Sequence, residues 1–166
     1  FDRRYLHLCV WHEERREIAG AYRLGLTDVL TAEGGVSALY THTLFRYDLR
    51  LIDRLSPAIE LGRSFVRLEY QRDYAPLLLL WKGIGRFVAE RPRYRRLFGP
   101  VSISQDYASA SRELLMAFLE ANHRCPELAA LVDPRHPPRR DRGGLANFQV
   151  FQRKPGRQVR SRLRHV

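Results

Sequence analysis

Ala58-Ile-Glu-Leu-Gly-Arg-Ser-Phe-Val66 is the stretch on which the reading of this chain turns. Pro57 introduces it and closes the helical stretch before it, because a proline disfavours helical geometry in the preceding residue. The segment reads as a strand, with two features an ordinary strand lacks. Glu60 places a carboxylate among apolar neighbours, where it is costly unless paired. Gly62 weakens the strand at its middle and marks a bulge or a close backbone approach. Strict alternation puts Glu60 and Arg63 on opposite faces; a bulge at Gly62 shifts the parity and brings them together.

Working outward, Arg4 to Trp11 and Glu17 to Leu24 are β-rich runs, joined as a hairpin by the charged His12 to Arg16. Thr27 to Ser37 holds Gly34-Gly35 and reads as loop. Leu39 to Leu55 spaces its apolar residues for one or two short helices. Tyr74 to Glu90 is predicted as a long helix with Pro76 in its first turn, apolar on most sides and therefore buried. Gly83 and Gly85 fall inside that helix and permit close packing. Arg96 to Ser104 is a fourth strand. Asp106 to Asn122 is an amphipathic helix, with Asp106 as its N-cap and Leu114, Leu115, Phe118 and Leu119 on its apolar side. Glu127 to Val132 reads as a last short helix. The order predicts a mixed α/β fold whose later strand–helix–strand unit is parallel through a crossover.

The 166 residues suffice for one domain with a real core. The net charge of +11 sits at one end: residues 134–166 hold ten arginines and lysines against Asp141, which leaves residues 1–133 at +2. The division expected is therefore a domain over 1–133 and a basic Arg/Pro-rich, poorly ordered tail over 134–166. Cys9 and Cys125 form no CxxC pattern, and Cys9 reads as a small buried residue, which suits a reducing, cytoplasmic setting. The longest apolar run, Ala75 to Trp81, is far short of a membrane span. Phe1 begins inside a strand pattern, so the chain reads as a fragment or a processed form.

Glu60-Leu-Gly-Arg-Ser-Phe-Val66 resembles the E-x-G-R-[SC]-x-V strand of the ornithine-lipid and glycine-lipid synthase type N-acyltransferases. These are often labelled hemolysin-like, belong to the GNAT superfamily and are related to acyl-homoserine lactone synthases. Gly20-Ala-Tyr-Arg-Leu24 resembles the family's G-x-YRL strand, and Leu80-Trp-Lys-Gly-Ile-Gly85 its LLWKGI helix. Leu97-Phe-Gly-Pro-Val-Ser-Ile-Ser-Gln-Asp-Tyr107 resembles its LFGPVSIS-x-DY strand and turn, and Ser111-Arg-Glu-Leu-Leu115 the helix after it. The family's first helix and strand, and the strands after this helix, have no counterpart here. The resemblance thus implies a GNAT-like mixed sheet flanked by helices, truncated at both ends.

It also implies the chemistry. Acyl transfer from a thioester needs a deprotonated amine, a stabilised oxyanion and a proton for the leaving thiolate. A GNAT enzyme holds the thioester where two parallel strands splay apart, beside a bulge that frees backbone N–H groups. Glu60 is then the general base or the anchor for the acceptor's ammonium group; otherwise it forms a structural ion pair with Arg63. Arg63 holds Glu60 or binds an acceptor carboxylate. Ser64, Phe65 and Val66 offer backbone contacts to the acyl-pantetheine arm, and Ser102 and Ser104 line the splay. Tyr107 either protonates the thiolate or simply packs.

The connection from Arg67 to Tyr74 has no glycine for a pyrophosphate cradle, which favours acyl carrier protein over CoA as the acyl donor. Arg67 and Arg72 are expected to meet the phosphopantetheine phosphate or the carrier's acidic helix, or to be a solvated loop. No bound cofactor or metal is expected, since His7 and His12 have no partner at ligand spacing. His136 and Asp141 match an H-x4-D dyad by spacing alone. The function expected is transfer of a (3-hydroxy)fatty acyl group to the amine of an amino acid in bacterial aminolipid biosynthesis. Ornithine, glycine, another amino acid and a lyso-lipid stay open as acceptors. The tail would meet anionic lipid peripherally at the inner membrane. The alternatives are a nucleic-acid-binding protein that uses the tail, and an inactive truncated remnant.

Overall fold

The first hairpin forms where the pattern places it. β1 (Leu6–His12) and β2 (Glu17–Leu26) pair antiparallel across the charged turn, in a computed structural model that describes residues 2–137. After β2 come α1 (Thr27–Gly34), β3 (Phe45–Tyr47) and α2 (Leu49–Leu55), and then β4 (Ala58–Val66), which pairs antiparallel with β2. α3 (Ala75–Glu90) leads to β5 (Arg96–Phe98), which runs parallel to β4. α4 (Ser109–His123), α5 (Pro126–Ala129) and β6 (Val132–Pro134) complete the described chain. The main sheet has the order β1-β2-β4-β5; β3 and β6 form a separate pair. This is a mixed sheet flanked by helices.

Each face of the sheet has its own core. Against α3, Leu24 and Ile59 pack with Ile84 and Tyr94. Gly83 lets this helix sit close, since a Cβ there would lie 2.9 Å from the Leu8 side chain. On the other face Tyr5 packs with Leu30 of α1 and with Ala38, Leu39 and Ile52. Thr27 ties that layer to β4: its hydroxyl accepts from the Ala58 N–H at 2.8 Å and lies 3.1 Å from the Ala58 carbonyl.

Several expectations are corrected. Residues 27–34 are helical because Gly34-Gly35 ends a helix instead of interrupting it; Gly35 adopts φ 61° and its N–H bonds the Thr31 carbonyl at 2.9 Å. Phe45–Tyr47 is a strand inside the stretch read as helical, because its partner β6 lies far along the chain. α3 buries a single stripe, Pro76, Leu80 and Ile84, and leaves Leu77, Leu78, Leu79 and Trp81 about half exposed. β5 stops at Phe98, short of Ser104. Asp106 accepts a hydrogen bond from Ser104 in a turn, so it does not cap α4, which starts at Ser109. The apolar residues of α4 are exposed, and so is Cys9.

The division expected between 133 and 134 falls within β6, and the Arg135 N–H still bonds the Leu44 carbonyl at 2.9 Å. The rest of the basic tail, and Asp141 of the H-x4-D spacing, lie outside the described residues. Among the described residues no helix is long and apolar enough to cross a membrane.

Candidate active site

β2 and β4 pair normally from Leu26↔Ile59 to Arg23↔Gly62, then resume at Ala21↔Phe65. Two residues of β4, Arg63 and Ser64, therefore stand opposite one of β2, Tyr22. This is a β-bulge, and it takes Arg63 and Ser64 out of the ladder. Arg63 has φ 44°, a left-handed conformation that costs a non-glycine residue about 1–2 kcal/mol. The bulge thus lies just past Gly62, and its strained residue is the arginine.

At the same level β4 loses β5. Their parallel pairing runs from Ala58↔Arg96 to Glu60↔Phe98 and ends there. Beyond it the chains diverge around a cleft of about 760 Å³. Leu61, Arg63 and Ser64 form one wall, Gly99 to Ser102 the other, and Tyr22 and Trp81 contribute their rings. Gly99 sets the point of divergence: a Cβ there would fall 2.1 Å from the Leu61 carbonyl oxygen, so no other residue allows the approach. On the β1 side of the bulge a second recess of about 440 Å³ is lined by His7, Ala21, Tyr22, Arg23, Arg63, Ser64 and Phe65. Cleft and recess share Tyr22, Arg63 and Ser64.

Glu60 lies behind this junction at 1% exposure. Its carboxylate accepts from the Thr41 N–H at 2.6 Å, from the Tyr40 N–H at 3.2 Å and from the Tyr5 hydroxyl. It clamps the turn at Tyr40–Thr43 to β4, and it forms none of the contacts with Arg63 that a bulge at Gly62 would give. Burial, together with the bond to Glu60, holds the Tyr5 phenol well above its ordinary range. Arg23, at 3% exposure, lies between two rings, its guanidinium carbon 4.6 Å from the Tyr5 centroid and 4.9 Å from that of Tyr40. Arg23 and Tyr40 in turn reach Gly62 beside the bulge, 3.9 and 4.0 Å from where its Cβ would lie.

The structure brings part of the expected set together. Arg63 and Ser64 line both hollows, Phe65 the recess and Ser102 the cleft. Val66 pairs with Gly20 and lines neither. Ser104 is bonded to Asp106, and Tyr107 is 61% exposed and lines neither hollow. Arg67 is engaged by Glu17 at 2.6 Å and Glu69 at 2.9 Å, and Arg72 is exposed in the following connection. The first turn of α3 meets a carboxylate of its own chain, as Asp73 accepts from the Ala75 N–H at 2.9 Å.

Tyr5, His7 and Arg23 were missing from the expected set. A charge inside an apolar strand was a usable signal for Arg23, just as it was for Glu60. Nothing in the pattern of β1 distinguishes His7 from a surface histidine.

A bulged strand, a parallel neighbour that leaves it, and a cleft between them make this a GNAT-like mixed sheet flanked by helices. Residues 1–82 match the family described as the acetyltransferase (GNAT) domain. The chain is 37% identical over 141 residues to a glycine N(alpha)-acyltransferase of Bacteroides thetaiotaomicron, covering 80% of this chain and 41% of that protein. It is 34% identical over 141 residues to a glycine N(alpha)-acyltransferase of Phocaeicola vulgatus, covering 80% of this chain and 43% of that protein. The chain thus spans less than half the length of either curated relative. No solved structure matches it.

Proposed function

We propose that this chain transfers a long-chain acyl group, including 3-hydroxyacyl, from a thioester to the α-amine of a small amino acid in aminolipid synthesis. Glycine is the first acceptor to consider, as both relatives are named for it. The observation behind this reading is the bulge at Arg63 and Ser64, placed where β4 and β5 part. N–H groups released from the ladder there are donors for the thioester oxygen as it becomes an oxyanion. The rings of Tyr22 and Trp81, with Leu97 and Val101, give the cleft an apolar lining that suits an acyl chain.

Glu60 supports this site from behind. Its three donors and its burial suit a positioning residue that fixes the turn at Tyr40–Thr43 and, through Tyr5, the surroundings of Arg23. A carrier protein is the donor that fits best. Asp73 already takes an N–H in the first turn of α3, where a CoA pyrophosphate would need free donors. Arg72, exposed in the connection to α3, is then the residue to meet the carrier's phosphate or acidic surface, while Arg67 is engaged by two carboxylates.

The test is acyl transfer in vitro, with long-chain 3-hydroxyacyl carrier protein or the matching CoA thioester offered against a panel of amino acids. Mass spectrometry should find N-acylglycine, made at least about tenfold more efficiently from the carrier-bound donor. No N-acyl product from any amino acid with either donor would overturn the reading.

A further inference from the structure

The recess on the β1 side of the bulge is a second hollow beside the cleft between β4 and β5. It opens on the same two residues, Arg63 and Ser64, from another side. An occupant therefore lies against the bulge, where the transferase reading puts the thioester. Its lining has a definite chemistry. Arg23 and Arg63 supply two permanent positive charges, and no lining residue is acidic. Its volume of about 440 Å³ has room for a small molecule. His7 stands directly opposite Arg23 in the β1–β2 register, a distance of about 5 Å between side-chain bases in such pairs.

We propose, on the strength of the transferase reading above, that this recess is the acceptor site and that His7 is the base that takes a proton from the acceptor's ammonium group. Two guanidinium groups favour a carboxylate, which selects an α-amino acid over a simple amine. A carboxylate held at the exposed Arg63, with the positive charge of buried Arg23 behind it, puts the adjacent nitrogen between His7 and the bulge. The ammonium gives one proton to the His7 imidazole, and the free amine forms a C–N bond with the thioester carbon. The C–S bond then breaks, the nitrogen sheds its second proton, and the departing thiolate takes it. His7 releases its proton to solvent, so each turnover yields one amide, one thiol and one proton.

Other charged and titratable groups surround His7. Arg23 faces it from β2, Arg63 and Tyr22 from the rest of the recess, and two residues away stand Cys9 on β1 and Tyr5 just before it. α3 packs on the opposite face through Leu8 and Gly83, so its Lys82, Arg86 and Glu90 lie across the sheet.

The experiment follows kcat and KM for glycine against pH, in the wild-type chain and in His7→Gln. His7 is exposed, so the substitution spares the core. The expected result is a fall of about 100-fold in kcat, little change in KM, and loss of the acid limb of the profile. Imidazole added to His7→Ala should restore part of the rate, which a folding defect would not allow. Glycinamide, with a neutral carboxamide, should be acylated much more slowly than glycine by the wild type. A His7→Gln variant that keeps the wild-type rate and acid limb, while the wild type makes N-acylglycine, overturns this inference and leaves the transferase reading standing. A wild type that transfers nothing overturns both.

Discussion

The first half of β4 is buried on both faces, yet the two faces are held in different ways. Toward α3, Ile59 packs with Leu24, Ile84 and Tyr94 in an apolar contact with no fixed direction. Toward α1 and the turns after it, Glu60, Thr27 and Tyr5 make directional hydrogen bonds, and Arg23 lies between two rings. Apolar packing tolerates exchange of one shape for a similar one, whereas a buried polar network fails when a single member is lost. The polar face also supports the bulge and the recess. The geometry around the bulge is thus fixed by directional contacts, and the other side holds the sheet by apolar packing.

This contrast can be broken at several points. The largest effect is expected for Glu60→Ala. It leaves the Thr41 N–H without its acceptor and removes the negative charge near Arg23, at a cost of about 3–5 kcal/mol. Urea unfolding should show that loss, and Glu60→Gln should lose clearly less because it keeps an acceptor oxygen. Ile84→Ala is next, at about 3 kcal/mol for a truncated core side chain, with kcat/KM within about threefold of wild type in stability-matched conditions. If Ile84→Ala abolished transfer while the protein stayed folded, the separation of the two faces would be wrong.

Thr27→Val should cost about 2 kcal/mol, since the Ala58 N–H loses its only bond to a side chain while the shape is kept. A neutral outcome in thermal unfolding would show that the polar face is less exacting than described. The smallest effect lies at the N-cap of α2. Hydrogen bonds from the Arg50 side chain and backbone hold the Asp48 carboxyl at about 2, below its usual value of 3.8. Its contribution is therefore complete above about pH 4 and lost as pH falls toward 2. An NMR titration of that carboxyl should place its midpoint near 2 and return it toward 4 in Arg50→Ala.

The same contrast explains what could be read in the sequence. β1, β2, β4 and α3 were legible because apolar spacing reports burial against whatever covers it. The polar face was only half legible. Glu60 and Arg23 stand out as charges in apolar strands, but the donors to Glu60 come from residues 5, 40 and 41, and no local pattern links those positions. The bulge was expected at Gly62, the residue best suited to it, and formed around Arg63. β3 was invisible for a similar reason, as its pairing partner lies beyond residue 130. α1 was lost to the assumption that two glycines break a helix, when they stop one.

Arg63 holds a conformation that glycine or asparagine adopts more readily. The position therefore sets two selective pressures against each other. A population of variants screened only for thermal endurance should drift away from arginine there early, and a population screened for product should keep it. The residue at this one site would then record which demand a lineage has been under.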